Sequence, residues 1–64
     1  MSLGKNIKKE RVLRDIKQQD LAKSVGITPQ YLRRIEKDEV DVKLSLIRKI
    51  AKILDITVNE LIEE

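Results

Sequence analysis

Side chains that could bind a polyanion are concentrated in one short segment, which reads QQDLAKSVGITPQYLRRIE from residue 18 to residue 36. A helix of 3.6-residue period would turn Leu32 and Ile35 to one side. The other side would carry side chains rich in hydrogen-bond donors, namely Gln30, Arg33, Arg34 and, just beyond, Lys37. An amide can pair bidentately with adenine and a guanidinium with guanine. The pattern favours contact with duplex DNA over its alternative, an ordinary solvated helix face.

Two short helices and a tight turn would position these side chains. One helix, the second of the chain, is predicted over Gln18–Val25, and Gly26 ends it because glycine adopts positive φ without steric cost. The next, the third of the chain, is predicted from Pro29 to about Lys37, because Thr28 is a good N-cap and proline suits the first helical position. The two form a helix-turn-helix over about 17–37.

Three further helices are predicted, from about Leu3 to Arg14, from Leu44 to Leu54 and from Val58 to about Glu63. Thr57 and Glu60 form a T-x-x-E capping box for the last of them. No segment alternates apolar and polar residues over strand length. The fold class is therefore all-α, a compact bundle of five short helices in one domain over residues 1–64.

The aliphatic residues at helical spacing predict the core. In the first helix Ile7 faces inward, with Leu3, Val12 or Leu13 near its ends. The fourth helix carries an apolar stripe of Leu44, Ile47, Ile50, Ala51 and Leu54. Of Leu61 and Ile62, one completes the core and the other is exposed, where it could pair with a second copy.

The charge distribution supports a polyanion partner. Residues 1–35 carry nine Lys or Arg against three acids, a net +6, whereas residues 36–64 carry five against eight, a net −3, which together give +3. A basic half is typical of nucleic-acid binding, although a random imbalance on a small surface is the alternative.

Composition excludes several function classes. The chain lacks Cys and His, so thiolate metal sites and the usual general base are absent. The acidic cluster of Asp38, Glu39 and Asp41 lacks the glycine and distal glutamate of a calcium loop. We therefore expect no enzyme, no cofactor, no metal site and no small-molecule substrate. Without an apolar run of about 18 residues we expect no membrane partner, and the sequence fits a cytoplasmic protein.

The chain resembles the lambda-repressor and Cro-like regulators, often called the XRE family, from about Ile7 to Leu61. The matching positions in the helix-turn-helix are Ile16, Gln18, Leu21, Ala22, Val25, Gly26, Ile27, Thr28, Leu32, Ile35 and Glu36. Those in the later part are Leu44, Ile47, Ile50, Ala51, Leu54, Ile56, Thr57 and Leu61. So many positions in register over five helices make the resemblance specific.

The resemblance implies that the third helix enters the major groove of DNA. Base-reading residues would then be Gln30, Tyr31, Arg33 and Arg34. Tyr31 could instead cover the edge of the core, stack on a sugar or touch a thymine methyl group.

The resemblance also implies contacts to DNA phosphates from Arg11, Gln18, Thr28, Lys37 and Lys43. Gln18 corresponds to a family glutamine at the start of the second helix, where backbone N–H groups also face a phosphate. Arg11 corresponds to an arginine that pairs with the acid at Glu36 and leans toward DNA. A plain surface ion pair is the alternative for these two residues.

Some positions depart from the family pattern. Lys17 replaces the usual Ser, Thr or Asn cap of the second helix. Asp15, Asp38 and Asp55 stand where glycine is common, and aspartate tolerates the left-handed conformation better than most residues. Pro29 cannot donate from its backbone, which shifts the expected specificity to the side chains that follow it.

Two functions remain in view. The first is a sequence-specific double-stranded DNA-binding transcriptional regulator, a repressor that reads the major groove with helix 29–37 and acts as a homodimer on a palindromic operator. The alternative is a protein-interaction module, such as an antitoxin or anti-repressor, that uses the same fold.

Overall fold

Five α-helices make up the regular structure of the protein in the computed structural model, which describes residues 2–63. They are α1 (Leu3–Leu13), α2 (Gln18–Val25), α3 (Pro29–Glu36), α4 (Leu44–Leu54) and α5 (Val58–Ile62). No strand occurs between residues 2 and 63, which confirms the all-α prediction. Met1 and Glu64, the two ends of the predicted domain, lie outside the described residues.

The helix termini follow the predicted capping residues closely. The Thr28 hydroxyl oxygen accepts a hydrogen bond from the Tyr31 N–H at 3.1 Å. Thr57 and Glu60 form the predicted capping box at the start of α5. Helices α1, α3 and α5 each end one residue before the predicted position, a difference within the usual fraying of helix ends.

Aspartate takes the place of glycine in three of the four left-handed turns found within residues 2–63. Asp15, Asp38 and Asp55 have φ angles of 55°, 59° and 58°, and Gly26 has a φ of 78°. The left-handed conformation costs less free energy for aspartate than for most residues, because its short polar side chain can hydrogen-bond to the nearby backbone. The prediction that these turns survive without glycine is confirmed.

The core is aliphatic and draws on every helix. Its buried members are Ile7, Leu21, Ala22, Val25, Leu32, Ile35, Ile47, Ile50, Ala51, Leu54 and Leu61. Leu61 is fully buried whereas Ile62 is exposed, as predicted for this pair. Within residues 2–63, no helix has the length and apolar character needed to cross a membrane.

The core prediction is wrong for Leu44, and at the ends of α1 it holds for Leu3 alone, which is partly buried and packs against the core. Val12 and Leu13 are 54% and 69% exposed. They lie about 140° and 120° around the helix from Ile7, while Arg11 lies within about 40° of it and takes the inward place. Leu44 is 53% exposed because it begins α4, one turn before that helix reaches the core.

Helix α1 approaches the C-terminal end of α3 closely at Gly4. A Cβ at this position would overlap the backbone carbonyl oxygens of Ile35 and Glu36, so only glycine fits. The Asp38 carboxylate caps the start of α1, accepting from the Ser2 hydroxyl and from the Gly4 N–H at 3.0 Å. The Ser2 hydrogen bond, followed by that of Gly4, lowers the pKa of Asp38 below its ordinary value.

Helix α1 also holds the end of α5. The buried side-chain amide of Asn6 donates hydrogen bonds to the carbonyl oxygens of Leu61 and Glu63, both at 2.8 Å. The Leu61 carbonyl lies in the last turn of α5 and the Glu63 carbonyl lies at its C-cap, so neither can accept from a later N–H within the helix. One helix therefore anchors both the C-terminus of α3 and the C-terminus of α5.

Candidate nucleic-acid interface

The outer face of α3 is a polar ridge, as its periodicity predicted. Leu32 and Ile35 are buried, whereas Gln30, Arg33 and Arg34 are exposed. Arg34 lies 3.7 Å from Glu39, a pair in which both side chains are more than half exposed. Gln30 and Arg33 make no side-chain hydrogen bond within residues 2–63, so their donors are available to a ligand.

A buried ion pair joins α1 to the end of α3. Arg11 Nε lies 2.8 Å from Glu36 Oε2, and Arg11 Nη2 lies 3.2 Å from Glu36 Oε1. The side chains are only 11% and 3% exposed. Arg11 Nη1 also donates to the Ile16 carbonyl oxygen at 2.9 Å. The predicted pairing is confirmed, and the pair is not the plain surface contact that was its alternative.

Gln18 completes this cluster from the first residue of α2. Its Nε2 donates to Glu36 Oε1 at 3.1 Å, so the Glu36 carboxylate accepts from Arg11 and Gln18 together. The remaining amide hydrogen of Gln18 and two guanidinium hydrogens of Arg11 have no partner within residues 2–63. Three donors are thus free to bind an anion without disturbing the ion pair.

A cleft opens directly above the ion pair. Its volume is about 210 Å³. The lining residues are Lys8, Arg11, Gln18, Arg33, Glu36 and Lys37. Four cations and one carboxylate give the lining a net charge of +3. A phosphate group suits such a site in charge and in its demand for several hydrogen-bond donors.

The start of α2 adds backbone donors beside Gln18. Lys17 occupies the N-cap position and makes no side-chain capping hydrogen bond, as its departure from the family pattern predicted. The first N–H groups of a helix have no partner within the helix, and together with the helix dipole they attract anions. The Asp20 N–H donates to the Lys17 carbonyl oxygen at 3.0 Å, so the absence of a side-chain cap leaves the N–H groups of Gln18 and Gln19 without a partner within residues 2–63.

The other predicted contact residues lie apart from the cleft. Thr28 is exposed and caps α3, and Lys43 is exposed at the N-cap of α4. Tyr31 is partly buried and packs against the core, which supports the core-edge role among its alternatives. The phosphate contacts of Thr28 and Lys43 and the base contact of Tyr31 stay predictions.

Lys8, a basic residue of the first helix that is expected to contact phosphates, lines the cleft, and it lies three residues before Arg11 on the same side of α1. Sequence reasoning missed one feature of this site, the burial of Glu36. The 3.6-residue period places Glu36 on the flank of α3, but the residue is buried. The helical wheel cannot show burial that comes from a partner 25 residues away in sequence.

Comparison with known proteins supports the fold and the class of protein. A family model described as helix-turn-helix matches residues 7–61. The uncharacterized HTH-type transcriptional regulator MJ0272 from Methanocaldococcus jannaschii is 36% identical over 55 residues, which are 86% of this chain and 83% of that protein.

Two solved structures resemble the chain over nearly their whole length. The P22 c2 repressor, in complex with a synthetic operator, gives a TM-score of 0.90 at 22% identity, covering 98% of this chain and 96% of that one. The biofilm regulator SinR, in complex with DNA, gives 0.84 at 27% identity, covering 92% and 95%. These likenesses confirm the predicted lambda-repressor-like fold.

Replacing Glu36 with Gln tests the structural weight of the buried pair. The variant leaves the Arg11 charge without its counter-ion in a nearly buried position, so the free energy of unfolding should fall by about 3 kcal/mol in urea titrations. Glu10→Gln is the matched control, because the Glu10–Arg14 pair at 2.7 Å is more exposed and should be worth about 0–1 kcal/mol. Equal losses in the two variants would show that the Arg11–Glu36 pair has no special role.

Proposed function

Because this chain belongs to the helix-turn-helix family of DNA-binding transcription regulators, we propose that it binds duplex DNA sequence-specifically and represses transcription by occupying an operator. The observation that carries the proposal is the continuity between the exposed ridge of α3 and the cleft of net charge +3, since Arg33 belongs to both. In this proposal the protein acts by covering the operator and catalyses no reaction. A role in binding DNA agrees with the proposed location in the cytoplasm.

Base reading falls to the exposed side chains of α3. With α3 in the major groove, Gln30 faces base edges from the N-terminal turn, and Arg33 follows about one turn later. Gln30 pairs with adenine, and Arg33 or Arg34 with guanine. Tyr31 lies beside them and supplies apolar contact, for example to a thymine methyl group.

Phosphate contacts fix the register of α3 on the duplex. A backbone phosphate in the cleft receives donors from Arg11 and Gln18 and charge from Lys8 and Lys37. Thr28 at the start of α3 and Lys43 at the start of α4 contact phosphates on either side. Each neutralised phosphate releases counterions, which makes the affinity depend steeply on salt concentration.

Specific recognition of an operator needs two copies of the protein, because one domain of this size contacts few base pairs. Ile53 on α4 and Ile62 on α5 are exposed, and these helices pack against each other. Lys52 on α4, Glu60 on α5 and Glu63 directly after α5 are exposed as well. A two-fold axis here sets the basic helix of one copy against the acidic helix of the other. We therefore propose a homodimer on a palindromic operator, with half-sites about 34 Å apart.

The test of base reading begins with selection of bound duplexes from a random pool. Gln30→Ala and Arg33→Ala should each weaken binding to the selected duplex by about 1–3 kcal/mol and relax discrimination at one base pair. Lys8→Ala should weaken binding to all duplexes alike and reduce the slope of log affinity against log salt by roughly one. Equilibrium binding at several salt concentrations measures both effects.

Lys23→Ala is the matched control, since it removes an exposed cation from the last turn of α2, outside both the proposed DNA contacts and the proposed dimer contact. It should leave the affinity for DNA almost unchanged. If Gln30→Ala and Arg33→Ala keep the full sequence preference, the assignment of the reading face is wrong. If the wild-type protein shows no salt-dependent binding to any duplex, the protein-interaction alternative replaces the proposal.

The dimer is tested by Ile62→Asp, which places a charge in the centre of the proposed apolar contact. Sedimentation equilibrium should show dimer formation weakened at least about tenfold. Binding to a palindrome should weaken, while binding to an isolated half-site should be unchanged. Leu44→Asp removes an equally exposed leucine elsewhere and should sediment as the wild type. An Ile62→Asp protein that dimerises as well as the wild type would contradict the proposed interface.

A further inference from the structure

A second cleft, separate from the cationic one, lies between the start of α1 and the segment joining α3 to α4. Its volume is about 330 Å³, near the lower end for small-ligand sites. The lining residues are Leu3, Ile35, Val40, Val42, Asp38 and Asp41. The aliphatic lining suits an apolar side chain, and the two carboxylates exclude a phosphate. DNA binding therefore leaves this cleft unused.

The rim of the aliphatic cleft carries fixed negative charge. Hydrogen bonds from Ser2 and Gly4 favour the ionised form of Asp38 and lower its pKa. Asp41 is exposed and makes no ion pair within residues 2–63. A complementary partner would present an aliphatic side chain flanked by cations.

The same chain presents such a surface at the end of α1, which we call the 12–17 corner (Val12, Leu13, Arg14 and Lys17). Leu13 and Val12 have the highest exposures among the large hydrophobic residues of the described chain, 69% and 54%. Arg14 forms an ion pair with Glu10, whereas Lys17 is exposed and has no ion pair within the described range. Neither the core nor the proposed DNA contacts account for the two apolar side chains.

The corner and the cleft of one molecule cannot meet. Leu3 lines the cleft and Leu13 ends the same helix, and ten residues of α-helix separate them by about 15 Å. A second copy can bring them together. The charge of the chain favours this head-to-tail arrangement, because residues 1–35 carry +6 and residues 36–64 carry −3.

We propose that the aliphatic cleft of one copy receives Leu13 of a second copy, with Lys17 set against the Asp41 rim. This contact is heterologous, so it leaves a free corner at one end and a free cleft at the other and can extend to further copies. It uses neither the outer face of α3 nor the exposed isoleucines of α4 and α5. It therefore adds cooperative assembly to the proposed operator binding, on which it rests.

The contact is small and weak. One side chain in one cleft buries far less than the roughly 1,200 Å² of a stable interface. It becomes populated where copies are held at millimolar effective concentration, as on neighbouring DNA sites. Free protein at about 1 mM reproduces that condition without DNA.

Two surface variants separate the two halves of the contact. Leu13→Ser removes the apolar side chain and keeps the cleft, whereas Asp41→Lys reverses the rim and keeps the corner. Both residues are exposed, so both variants should fold. Each variant alone should show head-to-tail association weakened at least about tenfold in low salt.

A mixture of the variants restores one productive contact, Leu13 of the Asp41→Lys protein in the cleft of the Leu13→Ser protein. Isotope-labelled Leu13→Ser protein should therefore show amide shifts at residues 38–42 when unlabelled Asp41→Lys protein is added. In the reverse labelling, the shifts should fall at residues 12–17.

The result that overturns the proposal is equally specific. Absence of these shifts at about 1 mM, or the same shifts when each variant is mixed with itself, would show that the corner does not dock in the cleft. The readout contains no DNA and does not involve Gln30 or Arg33. Failure of this contact is thus distinguishable from failure of the proposed DNA binding.

Discussion

The buried ion pair between Arg11 and Glu36 is the constraint on which the proposed interface depends. Removing two charges from water is costly, and the cost is recovered only where the geometry is good and the remaining donors and acceptors are paired. Here the bidentate pair is joined by Gln18 and by the Ile16 carbonyl oxygen. These bonds connect α1, α2 and α3 at one point. The orientation of α3 is therefore set before any ligand binds, which reduces the ordering cost of binding.

Helix α1 extends this constraint through the rest of the domain. Gly4 admits the end of α3, and Asp38 then caps the start of α1. On another side, Asn6 holds the end of α5. The proposed reading helix and the proposed dimer helix are thus both anchored on α1. A rigid connection of this kind keeps two reading helices at a fixed separation in a dimer, as a palindromic operator requires.

The sequence predicts the helices well because their end signals are local. Gly26, the Thr28 cap with Pro29 and the Thr57–Glu60 box each act within one turn of helix, so short windows of sequence contain the whole signal. The outer ridge of α3 is predicted for the same reason, since Leu32 and Ile35 fix the buried side.

The features that the sequence does not predict depend on distant contacts. Glu36 is buried because Arg11, 25 residues earlier, reaches it, and Arg11 displaces Val12 and Leu13 from the core. The requirement for glycine at position 4 arises from the backbone of α3 and leaves no local signal. Each of these misses comes from one packing contact, that of α1 on α3.

The most direct test of the preformed interface is an NMR titration of the isotope-labelled protein with a duplex obtained by selection. We expect the largest amide shifts at the start of α2 and across residues 28–34. We also expect the Arg11 Nε–H signal to keep its hydrogen-bonded position, because the pair with Glu36 persists in the complex. Shifts concentrated on α4, or loss of the Arg11 signal on binding, would contradict a preformed interface built on this ion pair.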